Sequence, residues 1–229
     1  PLAGKPMVRH VLDAIAPLNP SKTVAVVGPG MSDVITAVSP NPTVTQEKRL
    51  GTANAVKVAS SSVQGVEADT VLILYGDTPL IRTETLSAML QARADGAALV
   101  VLGFTPENPG AYGRLKLNAD GSLEAIVEAQ DASEAERAIK LCNSGVLAVD
   151  GSCLFDLVDQ VDNNNAKGEF YLTDIVALAR AREFECAVVK APAAELMGVD
   201  SRSVLAEAEA AWQTQRRIQA MDEGATLLD

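Results

Sequence analysis

Aromatic residues are scarce in this sequence: 229 residues carry four Phe, three Tyr and one Trp. A core with so few rings has to be filled by Val, Leu, Ile and Ala, the palette of a helix-covered sheet rather than a β-sandwich. Histidine is scarcer still. The single one, His10, excludes a zinc site with several histidines, and it lies on an amphipathic segment, Lys5 to Ala16, which argues against a histidine triad. The three cysteines, Cys142, Cys153 and Cys186, are odd in number and widely spaced among apolar neighbours. They make no disulfide framework and read as buried free thiols in a reducing compartment. No apolar run approaches membrane-spanning length and no signal peptide is visible, so a cytoplasmic chain with no membrane partner is expected. Positive charge is short as well: 19 Lys and Arg against 30 Asp and Glu leave a formal net charge of −11. That balance argues against nucleic acid, but not against a phosphorylated small molecule, because a divalent cation reverses the local field.

Short apolar runs between turn signals are plentiful. Lys22 to Gly28 reads as a buried strand ending in Gly-Pro-Gly, followed by a helix from Ser32 to Val38 and an extended piece around Val44. Ala53 to Ser61 reads as helical. Thr70 to Tyr75 is the clearest buried strand, and Thr83 caps a helix through Ala94 with Glu84 in its first turn. Ala97 to Phe104 then completes a β-α-β unit, from which a parallel sheet is inferred. Beyond it, Leu115–Leu117 and Leu123–Val127 flank Asn118-Ala119-Asp120-Gly121, a hairpin signal. Ser133 opens a charged helix, and Ser144 to Val149 reads as a strand. Helices at Ser152–Gln160 and Tyr171–Arg182, a strand at Cys186–Lys190 and a closing helix from Ser201 to about Glu223 finish the pattern. No linker divides it, so one domain is expected.

Three groups of residues carry chemistry. Asp77 stands two residues past an apolar strand, in Tyr75-Gly76-Asp77, where open α/β sheets bind ligands. Its carboxylate suits magnesium shared with substrate phosphates; it equally suits a turn closed through the Asp side chain before Pro79. Gln46 precedes Leu50-Gly51-Thr52-Ala53, where Gly51 admits a close backbone approach and Thr52 can cap the next helix. Amides exposed at that helix start could hold a ribose, base or phosphate, or the segment is an ordinary capped helix. The third group is scattered: Tyr112-Gly113-Arg114, Glu128, Asn143-Ser144-Gly145, Gly168 to Asp174, and Gly198-Val199-Asp200. Glu128 and Asn143 stand at the ends of expected strands, where polar side chains can meet sugar hydroxyls. Asp200 precedes the last helix, where capping is the alternative role.

In order and spacing these pieces resemble the uridyltransferase domain of bacterial bifunctional N-acetylglucosamine-1-phosphate uridyltransferase/glucosamine-1-phosphate acetyltransferases. The resemblance runs from Pro1 to the last residue. It is carried by Gln46 to Ala53, by Leu74-Tyr75-Gly76-Asp77-Thr78-Pro79-Leu80, and most specifically by Asn163-Asn164-Asn165-Ala166-Lys167-Gly168-Glu169-Phe170-Tyr171-Leu172-Thr173-Asp174. It implies an α/β, Rossmann-like nucleotide-diphospho-sugar transferase fold, with a mixed, mainly parallel central sheet flanked by helices and hairpin insertions in the second half. It also implies that UTP and N-acetylglucosamine 1-phosphate give UDP-N-acetylglucosamine and pyrophosphate, in cell-wall precursor synthesis, with Mg2+ as cofactor. Gln46, Gly51 and Thr52 would then contact uridine, while Tyr75, Gly76 and Asp77 line the phosphate and ribose region. Gly113, Glu128 and Asn143 would hold N-acetylglucosamine, with Tyr171 and Thr173 nearby. Asp77 and Asp200 would bind magnesium, Asp200 standing where the family usually shows Asn.

The resemblance also sets departures. The family's opening strand and its Gly-rich, triphosphate-cradling loop would precede Pro1, and their absence would leave two strands of the sheet without a neighbour. Residues 1–223 would be the nucleotidyltransferase domain, and 224–229 would start the connection to a β-helix acetyltransferase domain through which the parent protein trimerises. Two other readings remain: a related nucleotidyltransferase with another sugar or base, such as a glucose-1-phosphate thymidylyltransferase, and a sugar-nucleotide-binding domain without turnover. Glu128, Asn143 and the 168–174 stretch favour N-acetylglucosamine. Arg114 is expected either to help with phosphate charge or to form a surface salt bridge.

Overall fold

The computed structural model describes residues 1–63, 66, 69–165 and 167–227, and the aliphatic runs within them form two sheets. β1 (Ala25–Val27) and β2 (Thr43–Thr45) pair in parallel, joined by α2 (Ser32–Val38). The larger sheet holds β3 (Thr70–Ile73), β4 (Leu99–Phe104), β5 (Arg114–Leu117), β6 (Leu123–Val127), β7 (Cys142–Asp150) and β8 (Cys186–Lys190). Around them stand α1 (Met7–Ile15), α3 (Thr52–Val63), α4 (Thr83–Ala94), α5 (Glu134–Arg137), α6 (Leu154–Val158), α7 (Asp174–Ala181) and α8 (Arg202–Asp222).

The class is the expected Rossmann-like α/β fold with a mixed, helix-flanked sheet, but its pairings are not mainly parallel. β3 and β4 run the same way without touching. The nine-residue β7 lies between them and is antiparallel to both. Only β1–β2 and β4–β8 are parallel pairs among the described residues. The reason is local: β7 returns from the β5–β6 hairpin, an antiparallel excursion, and its long apolar run takes the central place in the sheet.

Alternation along the strands feeds two cores. Leu99, Val101, Leu147 and Val149 pack with Leu154 and Leu157 of α6 and Ile175, Val176 and Ala179 of α7. Val100, Leu102, Val146 and Ala148 face Val11 and Ile15 of α1 and Leu86 and Met89 of α4. A small third cluster, Leu2, Leu80, Val199 and Ala208, seats the start of α8.

Several local expectations change. β1 is shorter than expected and only Val27 is buried, Val26 being 36% exposed. β3 is half-buried rather than buried. Each has a strand on one side only among the described residues, so neither is enclosed. Thr83 is the first residue of α4 rather than its cap; its hydroxyl donates to the Ala14 carbonyl at 2.8 Å and ties α4 to the end of α1. Ser133, by contrast, caps α5 as expected, in a reciprocal box with Glu136. All three cysteines are free and buried, and burial pushes the Cys186 thiol up to about 11. Residues 225–227 form no strand, while Leu228, Asp229 and Ala166 of the motif segment lie outside the described residues. No described helix is long and apolar enough to cross a membrane.

Candidate active site

β7 is flanked on one side by two strands that do not meet. β3 follows it from Asp150 to Leu147, and β5 begins against Cys142. The interval 143–146 therefore floors a notch, with Tyr75–Asp77 entering from the end of β3 and Tyr112–Gly113 from the start of β5. Gly145 fits this floor because its φ is +88° and a Cβ there would come within 2.7 Å of the Tyr75 ring.

Asp77 sits at the mouth of the notch, open to solvent. The turn after β3 is closed by Thr78, whose hydroxyl donates to the Tyr75 carbonyl at 2.9 Å, so it does not depend on the Asp77 carboxylate. The Val199 amide donates to the Asp77 carbonyl at 2.8 Å and draws in the loop carrying Asp200. Surrounding protein pushes the Asp77 carboxyl above its ordinary pKa; its own backbone amide opposes this, and the Asp200 charge adds to it. Asp200 does not cap α8. Ser201 does, accepting from the Val204 amide at 3.2 Å, which leaves the Asp200 carboxylate exposed beside Asp77. Upstream, buried Glu195 accepts from Thr85 Oγ1 at 2.5 Å and anchors this loop to α4. Gly76 is exposed, and a Cβ there would make only ordinary contact with Val8, so its glycine is not demanded by packing.

On the other side of the notch the Asn143 amide donates to the Gly113 carbonyl at 2.8 Å, and Asn143 Oδ1 accepts from the Gly145 amide at 2.9 Å. A Cβ on Gly113 would lie 3.6 Å from both Glu128 carboxylate oxygens. Thr173 Oγ1 donates to Glu128 Oε1 at 3.1 Å. Gly113, Glu128, Asn143 and Thr173 thus form one connected set. Tyr171 stands near it: burial, then the charges of Glu169 and Glu128, raise its hydroxyl pKa.

Gly51 and Thr52 meet the 168–174 segment, and Gln46 is tied to them from the other side. Gln46 Nε2 donates to the Gly51 carbonyl at 3.0 Å and to Asn54 Oδ1 at 2.9 Å. The amides expected to be free at the start of α3 are partly taken: Ala53 N–H donates to the Phe170 carbonyl at 2.9 Å. Thr52 Oγ1 accepts from the Leu172 amide at 2.9 Å instead of capping its own helix. Tyr75 links this group to the rest. Burial raises its hydroxyl pKa, the Thr52 hydroxyl lowers it, and the Asp77 and Glu128 charges raise it again.

Tyr112 and Arg114 complete the Gly113 side of the notch. Partial burial, then the charges of Asp200, Cys142 and Asp77, raise the Tyr112 hydroxyl pKa, and its ring meets Phe104 edge-on at 4.8 Å. Arg114 forms no surface salt bridge: it is 4% exposed and donates to backbone carbonyls of the loop before it. The pairing of Arg114 with Cys142, where β5 starts against β7, puts it inside.

Asp174, at the start of α7, carries the largest carboxyl shift. Burial, followed by the charges of Asp162, Glu128 and Asp131, pushes it up to about 6. Its folded pKa exceeds its unfolded one, so between about pH 4 and 6 the folded chain binds more protons and stability falls as pH rises. Asp174→Asn should flatten that fall. Melting curves across the window check it; an unchanged slope would place the shift elsewhere.

A family model for the MobA-like NTP transferase domain matches residues 1–221. The chain belongs to this family. Curated relatives of this NTP transferase chain include Bifunctional protein GlmU of Rhodospirillum rubrum, 57% identical over 229 residues, which are 99% of this chain and 51% of that protein. Bifunctional protein GlmU of Paramagnetospirillum magneticum is 54% identical over 231 residues, 100% of this chain and 51% of that protein. The chain thus spans about half the length of the curated relatives it matches. Among solved structures, CMP:2-keto-3-deoxy-manno-octonic acid synthetase complexed with CTP superposes with a TM-score of 0.65. It covers 94% of this chain and 90% of the other at 16% identity, a likeness of fold.

Proposed function

We propose that this chain transfers a uridylyl group from UTP to N-acetylglucosamine 1-phosphate, giving UDP-N-acetylglucosamine and pyrophosphate. The observation that carries the reading is the single notch shared by Asp77 with Asp200 and by the Gly113–Asn143–Glu128–Thr173 set. The high identity to proteins named GlmU supports it. In this reading Gln46, Gly51 and Thr52 take the uridine, and Tyr75, Gly76 and Asp77 line the ribose and phosphates. Gly113, Glu128, Asn143, Tyr171 and Thr173 take the amino sugar.

The chemistry asks little covalent work of the protein. A phosphate oxygen of the sugar phosphate forms a bond to the α-phosphorus of UTP, the bond from that phosphorus to the bridging oxygen breaks, and pyrophosphate leaves. Positioning two phosphorylated substrates in line is the main task, which suits a chain with one histidine. Among the described residues no cluster of three or more His, Cys, Asp and Glu forms a metal cage. Two adjacent carboxylates fit Mg2+, which keeps several waters and shares its ligands with phosphates. Asp77 and Asp200 would hold it, and when bound it supplies charge neutralisation on the phosphates. A cytoplasmic, homotrimeric parent protein belongs to the same reading.

Pyrophosphate release by the full gene product tests it. Release is expected with UTP and N-acetylglucosamine 1-phosphate, and should stop with chelator and return with Mg2+. Turnover of glucose 1-phosphate alone, or of another nucleotide in place of UTP, would overturn the assignment. Sugar-nucleotide binding without any turnover would reduce the chain to a binding domain.

A further inference from the structure

We propose that Arg114 is the positioning residue of the amino-sugar side of the notch, acting through the 109–113 strap; this rests on the functional reading above. Arg114 is 4% exposed, and no ion pair among the described residues involves it. Its donors go to main-chain carbonyls instead. Nε reaches Arg137 O at 3.4 Å, Nη2 reaches Gly110 O at 3.2 Å, and Nη1 reaches Pro109 O at 3.4 Å and also Tyr112 O. Burying a guanidinium without a counter-ion is costly, and neutral carbonyls offset only part of the cost. A fold that needed only a filled core position would be served by an apolar side chain.

What the charge does is hold an exposed strap from beneath. Gly110, Ala111 and Tyr112 are exposed, and the strap's own bonds are few: Tyr112 N–H to Pro109 O at 3.1 Å and Gly110 N–H to Asn108 Oδ1 at 3.1 Å. Such a segment does not keep one geometry unaided. Arg114 draws the Gly110 and Tyr112 carbonyls inward. Because a trans peptide sets N–H opposite C=O, the amides of Ala111 and Gly113 turn the other way. The same orientation seats Gly113, whose carbonyl takes the Asn143 amide at 2.8 Å and whose Cα faces the Glu128 carboxylate. Tyr112 is held between this anchor and the Phe104 ring. Arg114 itself lies under the strap, so its effect on substrate passes through Tyr112 and Gly113.

Arg114→Lys in the full gene product tests the inference, because an ammonium keeps the charge but cannot fork to several carbonyls. Hydrogen exchange in peptides covering 105–113 should accelerate about tenfold. The KM for N-acetylglucosamine 1-phosphate should rise about tenfold while the KM for UTP stays within about twofold. Arg114→Met, which restores packing without donors, should show the same split if Lys destabilises the fold. Unchanged exchange over the strap in both variants, or equal rises in both KM values, would overturn the inference. A wild-type protein inactive on the sugar phosphate would instead overturn the functional reading, and the exchange measurement would still decide whether Arg114 orders the strap.

Discussion

Asp77→Asn is expected to lower Mg2+-dependent turnover by at least about 100-fold while leaving thermal stability unchanged or slightly higher. Asn preserves shape and one acceptor oxygen but removes the charge that a hard cation and two phosphorylated substrates require. The fold does not depend on that charge. Thr78 closes the turn, and the Val199 amide bonds the Asp77 backbone carbonyl, which Asn retains. The Asp200 carboxylate beside it loses a like charge, a small gain for the folded state. Steady-state pyrophosphate release together with a melting curve checks both halves. A variant of full activity at ordinary magnesium would remove Asp77 from the reaction, and a large loss of stability would make it a structural residue.

The largest structural effect should come from Gly51→Ala. Gly51 has φ +111°, a region that side chains rarely adopt, and its added Cβ would lie 2.5 Å from Phe170 O and 2.7 Å from Phe170 N. The obstacle is backbone, which cannot swing aside as a side chain could. Relief would require moving Phe170 away, breaking Phe170 N–H to Leu50 O at 2.8 Å and Ala53 N–H to Phe170 O at 2.9 Å. Strain plus two lost backbone bonds amount to about 3 kcal/mol, or a melting point lower by roughly 6–12 °C for a domain of this size. Thr52 would lose its seat against the Leu172 amide at the same time, so the KM for UTP should rise. Gly30→Ala is the control: its φ is +75° but nothing lies within 4 Å of its Cβ, so it should cost only about 1 kcal/mol. Equal effects from both changes would mean that backbone conformation alone, and not Phe170, limits position 51.

The residues that make this site were visible in the chain before their arrangement was. Asp77 could be placed past a strand end because that strand is a short apolar run closed by Gly and Pro. Local pattern leaves ligand and turn former equally open, since both roles use the same carboxylate oxygens. The fold hands the local structural jobs to neighbours: Thr78 closes the turn, Ser201 caps α8, and a Val199 amide 122 residues away brings Asp200 alongside. Arg114 shows the opposite limit. A charged residue beside a hairpin reads as surface, and only the position of β5 against β7 puts it inside.

The sequence by itself determined the class of the fold, the position of nearly every helix and strand, the hairpin, the free buried thiols and the set of polar residues left for chemistry. Those follow from local rules: side-chain periodicity, turn residues and composition act over a few neighbours. Only the tertiary structure decided that β7 separates β3 from β4, that Phe170 lies across Gly51, and that Asp77 and Asp200 share one end of a notch whose other end is held by Arg114. Each of these depends on which distant backbone groups satisfy one another. Many strands of similar hydrophobicity can compete for the same neighbour, and the choice is made by burying all of them at once.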